Sequence, residues 1–281
     1  MLKILIDGSG DMPEGWEEKY QFQIVPIPIQ IGDKTYYQGV DINPDLFYEL
    51  VQDEKNRPIT AAPSPTMIKA LIENLYDAGD TVLSINVSGK MSATVQMVQK
   101  AAEELKNKIE VITFDSNAGS AVLALMAREA RMRDIAGETI EHILEKLRLL
   151  RDKLIIVLTI DNLEFAYRSG RVGRLQAALT SILNIKPIVT LKEGLLSMSD
   201  LVRTRRKSLE KIVGKVHQRF GNEAIKVAIV HSQDKPTAEL LHKMITDTLN
   251  VTETIFTELS ISVAANLGPK TVGIVAYPEM I

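Results

Sequence analysis

Short apolar runs alternate along the chain with longer stretches in which apolar residues recur every three or four positions. Leu2–Ile6 has the length and composition of a buried strand. Phe22–Gln30 reads as a second strand. It carries Pro26 and Pro28, which donate no ladder hydrogen bonds, so it is expected at a sheet edge or as an irregular strand. In Pro65–Ala78, residues Met67, Ile68, Leu71, Ile72 and Leu75 form a helical stripe that stops at Gly79. Thr81–Val87 and Glu110–Phe114 read as strands, Ser92–Leu105 and Asn117–Arg133 as helices. Thr139–Leu150 repeats Ile140, Ile143, Leu144, Leu147 and Leu150 on one face, the pattern of an amphipathic helix. Strands separated by whole helices need crossover connections. The first half is therefore expected to be an α/β/α sandwich with a mostly parallel sheet covered on both faces.

The second half opens with a strand, Leu154–Ile160. Asp161-Asn162-Leu163-Glu164 reads as a capping box starting a helix, interrupted at Gly170 and Gly173 before a further helix over Arg174–Leu183. Pro187–Leu191 and Leu195–Val202 flank Lys192-Glu193-Gly194, a turn that predicts a hairpin. Helices Arg206–Phe220 and Pro236–Leu249 then alternate with strands Lys226–Val230, Thr254–Leu259 and Thr271–Tyr277. A hairpin among helices predicts an α/β domain with a mixed sheet. The boundary is placed in the charged stretch Arg148–Lys153, giving domains 1–152 and 153–281.

Composition narrows the function. The 281 residues carry a formal charge of -3, and so lack the basic surplus that broad nucleic-acid binding requires. Cysteine is absent, which removes disulfides, thiol nucleophiles and thiolate metal sites. The histidines, His142, His217, His231 and His242, show no HExxH spacing and read as surface or satisfied side chains. Aromatic residues are 5%, so a large apolar pocket would be lined mainly by Leu, Ile, Val, Met and Ala. Met1-Leu2-Lys3 enters an apolar stretch that ends at Asp7, too short for a signal h-region, and no apolar run is long enough to span a bilayer. The expected location is the cytoplasm.

Several loops carry candidate chemistry. Asp7-Gly8-Ser9-Gly10-Asp11 follows the first strand, where α/β proteins bind ligands. It matches neither GxGxxG nor a Walker loop; it is either a phosphate site or a tight turn capped by Asp and Ser. In Thr60-Ala61-Ala62-Pro63-Ser64-Pro65, Ser64 and Pro65 suit an N-cap and a first helical residue, which leaves the Thr60 hydroxyl available to a cleft. Ser88–Thr94 joins a strand to a helix. Ser92 there either caps the helix or donates to an anionic ligand. Arg168, Arg171 and Arg174, and the run Arg203-Thr204-Arg205-Arg206-Lys207, are solvated faces or meet an acidic partner or a phosphate. No nucleophile–His–acid constellation and no metal triad is visible, so hydroxyls and amides on loops favour binding over catalysis. The rival readings are a phosphoryl-transfer enzyme using Asp7 or Asp11, and a pure interaction module.

Taken in order and spacing, Asp7-Gly8-Ser9-Gly10-Asp11-Met12-Pro13, Thr60-Ala61-Ala62-Pro63-Ser64, Ser88–Thr94, Asn184-Ile185-Lys186-Pro187-Ile188, Val202–Lys207 and Leu267-Gly268-Pro269 resemble the signature segments of the DegV family over nearly the whole chain. The resemblance implies two α/β domains and a long-chain fatty acid held as ligand in an apolar tunnel between or within them. No other cofactor and no metal is implied. The family's carboxylate-binding Thr and Ser map to Thr60 and Ser92. Asn266 stands where the family usually has His, and Ala93 where it usually has Gly. The resemblance further implies a bacterial, non-catalytic lipid carrier in phospholipid synthesis. Its partner would be an ATP-binding fatty acid kinase subunit that makes acyl phosphate, with transient membrane contact. The Arg168, Arg171 and Arg174 cluster is in turn expected beside the mouth of the lipid site, as head-group or partner contacts.

Overall fold

A computed structural model describes residues 2–53, 55–161, 163–173 and 185–280. The chain divides into two compact units, Met1–Arg151 with Ser260–Ser262, and Asp152–Leu259 with Val263–Ile281. In chain order the elements begin with β1 (Lys3–Asp7), α1 (Trp16–Tyr20), β2 (Phe22–Val25), β3 (Pro28–Ile31), β4 (Lys34–Tyr37), α2 (Pro44–Leu50) and β5 (Ile59–Thr60). Then come α3 (Pro65–Leu75), β6 (Thr81–Asn86), α4 (Thr94–Leu105), β7 (Glu110–Asp115), α5 (Ala121–Ile135) and α6 (Ile140–Lys153). The remainder is β8 (Ile155–Thr159), α7 (Leu163–Ser169), β9 (Val172–Gly173), β10 (Lys186–Lys192), β11 (Leu195–Val202), α8 (Arg205–Phe220), β12 (Ile225–His231), α9 (Lys235–Thr246), β13 (Val251–Glu258), α10 (Ile261–Leu267) and β14 (Val272–Pro278).

The first unit is built on a sheet of order β2-β1-β6-β7, every pair parallel. Side chains alternate across it. Leu5 points to one face, where it packs with Val25, Val82 and the helix residues Ile68, Ile72, Val98, Ala101 and Leu105 of α3 and α4. Ile6 points to the other face, towards Leu123 of α5. The helix-covered parallel sheet expected from the alternation is thus present. A second, antiparallel sheet of order β4-β3-β5 was not foreseen. Phe22–Gln30, read as one strand, is two strands in two sheets. The break falls at Pro26 and Ile27, and Pro28 takes the first position of β3, where a missing N–H costs least. Helix α3 starts as expected: Ser64 caps it by accepting from Met67 N at 3.2 Å, and Pro65 opens it. Helix α5 begins at Ala121 rather than Asn117. Asp115 accepts Asn117 N at 2.7 Å and the Ser116 hydroxyl accepts Ala118 N at 3.1 Å, which holds these residues in a loop.

The second unit carries a mixed sheet of order β13-β12-β14-β8-β10-β11-β9. Its β12/β13 and β11/β9 pairs are parallel and the rest antiparallel. The β10–β11 hairpin turns at Glu193 and Gly194, both with positive φ, 51° and 81°, as a two-residue turn matched to strand twist requires. Val157, Ile188, Val227, Ile229, Val272 and Ile274 line one face under Leu209, Ile212 and Val216 of α8 and Ala238, Leu241 and Ile245 of α9. Thr204, rather than a basic neighbour, caps α8 by accepting from Lys207 N at 3.2 Å. The short helix α10 was not foreseen. The helix expected over Arg174–Leu183, and Asn162 and Asn184, lie outside the described residues. Among the described residues no helix is long and apolar enough to cross a membrane, and no group of three or more His, Asp or Glu is arranged to hold a metal ion.

Candidate functional site

The Gly-rich turn after β1 is not a phosphate cradle, because its amides are already used. Gly8 N donates to Val25 O at 3.0 Å, Ser9 N to Asp7 Oδ1 at 2.8 Å, and Gly10 N to Asp7 O at 3.0 Å. The Asp7 carboxylate also accepts Val87 N at 2.6 Å, so it ties the turn to the end of β6. Burial pushes its pKa above the ordinary carboxylate range, against the lowering effect of those two amides. Asp11 is likewise fully buried. It accepts Ser260 N at 2.8 Å and the Ser120 hydroxyl, and burial raises its pKa to about 7. A phosphoryl-transfer centre needs carboxylate oxygens that face a ligand or metal, and these oxygens face protein donors. That reading of Asp7–Asp11 is corrected: the segment is a structural turn.

Thr60 and Ser92 both belong to the first unit. Thr60 ends β5, half-buried and paired with Ile29 of β3, and the chain runs on through Ala61 to Ser64 into α3. Ser92 sits in the β6–α4 loop. Its amide donates to Ser88 O at 3.0 Å, and that loop is fastened by Ser88 N to Ala118 O at 2.7 Å and by Gly89 N to Asp115 Oδ2 at 3.1 Å. Two ion pairs join α3 to the α4 segment, Lys69–Glu104 at 3.0 Å and Lys108–Glu73 at 3.2 Å. Each pair spans 35 residues in the same sense, which requires the two helices to run parallel. Their N-termini therefore lie at one end of the helix pair; Ser92 directly precedes that of α4, and Thr60 lies in β5, five residues before that of α3. Ser92 is not the N-cap of α4; Ala93 holds that position and makes no side-chain cap. The Ser92 hydroxyl accepts Thr94 N at 3.3 Å and meets Thr94 Oγ1 at 2.8 Å. With Thr94 Oγ1 as the donor in that contact, both lone pairs of Ser92 are filled and its proton is left for an anion.

Asn266 and the arginines belong to the second unit. Asn266 is half-buried near the end of α10. The helix closes at Gly268, whose amide donates to Ala264 O at 2.7 Å with φ 83°. A Cβ on Gly268 would lie 3.0 Å from Cβ of Phe165, so the end of α10 packs directly on α7. Helix α7 is the one that carries Arg168, which pairs with Glu164 at 3.0 Å on the surface. Arg171 follows it, exposed, its guanidinium donating to Ser169 O. Within the second unit the helix that carries Arg168 thus meets the end of α10 through Phe165 and Gly268; Arg174 lies outside the described residues. Ser120, Ser260 and Ser262, gathered around the β1 turn, had no distinguishing signal in the sequence.

A unit built on a parallel sheet followed by a unit built on a mixed sheet, with the carboxylates of the Gly-rich turn buried and engaged, defines an α/β protein of two units. The model of the DegV family, described as "Uncharacterised protein, DegV family", matches residues 1–279, and the chain belongs to that family. It is 30% identical over 276 residues to a DegV domain-containing protein of Caldanaerobacter subterraneus, covering 97% of each chain. A solved DegV family protein from Thermus thermophilus, described by its fatty acid binding, is 29% identical with a TM-score of 0.89, covering 99% of each chain. A stearic acid-binding protein from Eubacterium ventriosum has a TM-score of 0.89 over 99% of each chain at 22% identity, a likeness of fold alone.

Proposed function

We propose that this protein binds a long-chain fatty acid and presents its carboxylate to an ATP-binding fatty acid kinase, performing no chemistry itself. The observation that carries the reading is the whole-length likeness to the Thermus thermophilus protein described by its fatty acid binding. The site chemistry agrees. A carboxylate is a strong acceptor, and Thr60, Ser92 and Asn266 offer hydroxyl and amide donors suited to it. Each buried methylene of the acyl chain adds about 0.8 kcal/mol, so few polar contacts beyond the head group are needed. Arg168, Arg171 and Arg174 are assigned to docking the kinase or steadying developing phosphate charge, and the domains remain 1–152 and 153–281. The setting is a bacterial cytoplasm, with transient contact at the membrane that receives the product of phospholipid synthesis.

The direct test is mass spectrometry of an organic extract of the purified protein, which should yield fatty acid near one per chain. An empty extract, with no binding of added fatty acids and no rise in melting temperature, would end the carrier reading. Thr60→Val and Ser92→Ala should each weaken binding by about 10- to 150-fold, the worth of a hydrogen bond to a charged group. Unchanged affinity in both would place the head group elsewhere. Arg171→Glu should impair kinase-coupled turnover and leave lipid binding intact; normal turnover would return the arginines to the status of a solvated face.

A further inference from the structure

Ser92 and Thr94, both of the first unit, stand on either side of Ala93 where the β6–α4 loop turns into α4. Their hydroxyl oxygens lie 2.8 Å apart, and the Thr94 amide donates to Ser92 Oγ at 3.3 Å. That amide is the first of the helix and has no intrahelical acceptor, so the serine supplies one. Backbone bonds fix the rest of the loop. Met91 N and Ser92 N both donate to Ser88 O, at 2.9 and 3.0 Å, and Gly89 N donates to Asp115 Oδ2 at 3.1 Å. The backbone of Ser92 is held by these bonds, and its Oγ is held from Thr94.

Either hydroxyl could donate in the 2.8 Å contact, and burial separates the two cases. Thr94 is fully buried, and among the described residues its hydroxyl meets only that of Ser92. With Ser92 as the donor, the Thr94 proton would have neither a protein acceptor nor water, the costly state of a buried polar group. With Thr94 as the donor, the proton left over belongs to Ser92, which is half-buried and needs no protein partner for it. Only the second case satisfies both groups. Ser92 Oγ then accepts from the Thr94 amide and the Thr94 hydroxyl together, which fills both its lone pairs. Two incoming donors also polarise a hydroxyl towards donation. We propose that Thr94 is a positioning residue for the carboxylate site, holding the Ser92 hydroxyl as an obligate donor; this deepens the fatty-acid reading above and rests on it. Thr94 does not touch the ligand. It decides which way a proton points, and so favours a head group that brings lone pairs.

The test uses the full chain and cis-parinaric acid, a fluorescent fatty acid. Thr94→Val keeps the shape of the side chain and removes its proton. It should weaken binding by about 3- to 10-fold, the worth of a neutral hydrogen bond. Thr94→Ser keeps the hydroxyl and should bind as the wild type does. In the Ser92→Ala background Thr94→Val should cost nothing further, because it acts through the group already removed. Wild-type affinity in folded Thr94→Val, an equal loss in Thr94→Ser, or losses that multiply in the double variant would each overturn the proposal. These outcomes are distinct from failure of the fatty-acid reading. No binding by the wild type would end that reading, and wild-type affinity in Ser92→Ala would move the head group elsewhere and take the role of Thr94 with it. A measurement on the lipid-free wild type needs neither ligand nor variant, and it stands even if Thr94→Val does not fold. The Thr94 hydroxyl proton, buried and engaged, should give a slowly exchanging NMR resonance with a cross-peak to Ser92. A proton in rapid exchange with water would overturn the proposal.

Discussion

Asp11→Asn should change how stability depends on pH, and the sign follows from the competition at that carboxyl. Removal from water raises its pKa, while Ser120, Ser260 and the Ala121 amide lower it by donating to the charged form; burial wins, and the value lies at about 7 against 3.8 for an ordinary aspartate. The folded state then holds a proton that the unfolded chain has lost anywhere between those two values. Stability from this group is full below about pH 4, declines as pH rises through 7, and is constant above. The separation of roughly three pH units corresponds to about 4 kcal/mol. Asparagine has the same shape and does not titrate. Urea unfolding of both proteins between pH 4.5 and 8.5 should therefore show Asp11→Asn gaining on the wild type as pH rises, with a plateau above neutrality. Asp7, raised in the same direction, and Asp200, lowered with Lys215 and Lys211 beside it, remain in both proteins and cancel in the difference. Parallel curves, or a wild type that gains with rising pH, would mean that the donors outweigh burial.

Arg131→Met should cost about 3–5 kcal/mol in the same unfolding assay, since the buried guanidinium serves Tyr20 O at 2.8 Å, Leu2 O at 2.9 Å and Asp134 at 2.7 Å, and Asp134 would lose its counter-charge and keep only the Leu2 amide. A loss under about 1 kcal/mol would show that the clamp on the first strand is dispensable. Gly268→Ala should destabilise by about 1–3 kcal/mol, because φ is 83° and the new methyl meets Phe165 at 3.0 Å; a neutral result in thermal melts would mean that α10 and α7 separate without cost. Fatty-acid affinity should vary weakly from about pH 6 to 8 in the wild type and tighten on the acidic side in Asn266→His, where an imidazolium would face the carboxylate. A steep profile in the wild type, or a flat one in the variant, removes Asn266 from the site.

The parts of the fold that were legible in the sequence are those whose signal is local and repeated. The stripe from Met67 to Leu75 with Ser64 and Pro65 before it, and Glu193-Gly194 between two apolar runs, each specify one structure within a dozen residues. The misreadings have local causes too. Pro26 and Pro28 weakened a strand in the sequence, whereas in the molecule Pro26 lies in the break between two strands of different sheets and Pro28 opens the second of them. The Ala-rich pattern of α5 was extended back to Asn117, into residues that Asp115 and Ser116 hold in turns. Helix α10 has seven residues, too few to establish a period of 3.6 against a background of apolar strands.

The candidate site was legible to a different degree. Its hydroxyls stood out by their place beside a Pro and at a strand-to-helix junction, and the carboxylates of the Gly-rich turn stood beside them as a rival. An acid close to glycines reads the same whether it faces a ligand or the protein's own amides, because the donors that decide the matter come from elsewhere in the chain. For Asp7 one is Val87, 80 residues on; for Asp11 it is Ser260, 249 residues on. No spacing rule reaches that far, and neither partner is of a type that announces itself, one being a backbone amide of valine and the other of serine. Once those bonds are known, the carboxylates are accounted for: a buried acid with every oxygen engaged holds parts of the chain in place and offers no oxygen to a phosphate or metal.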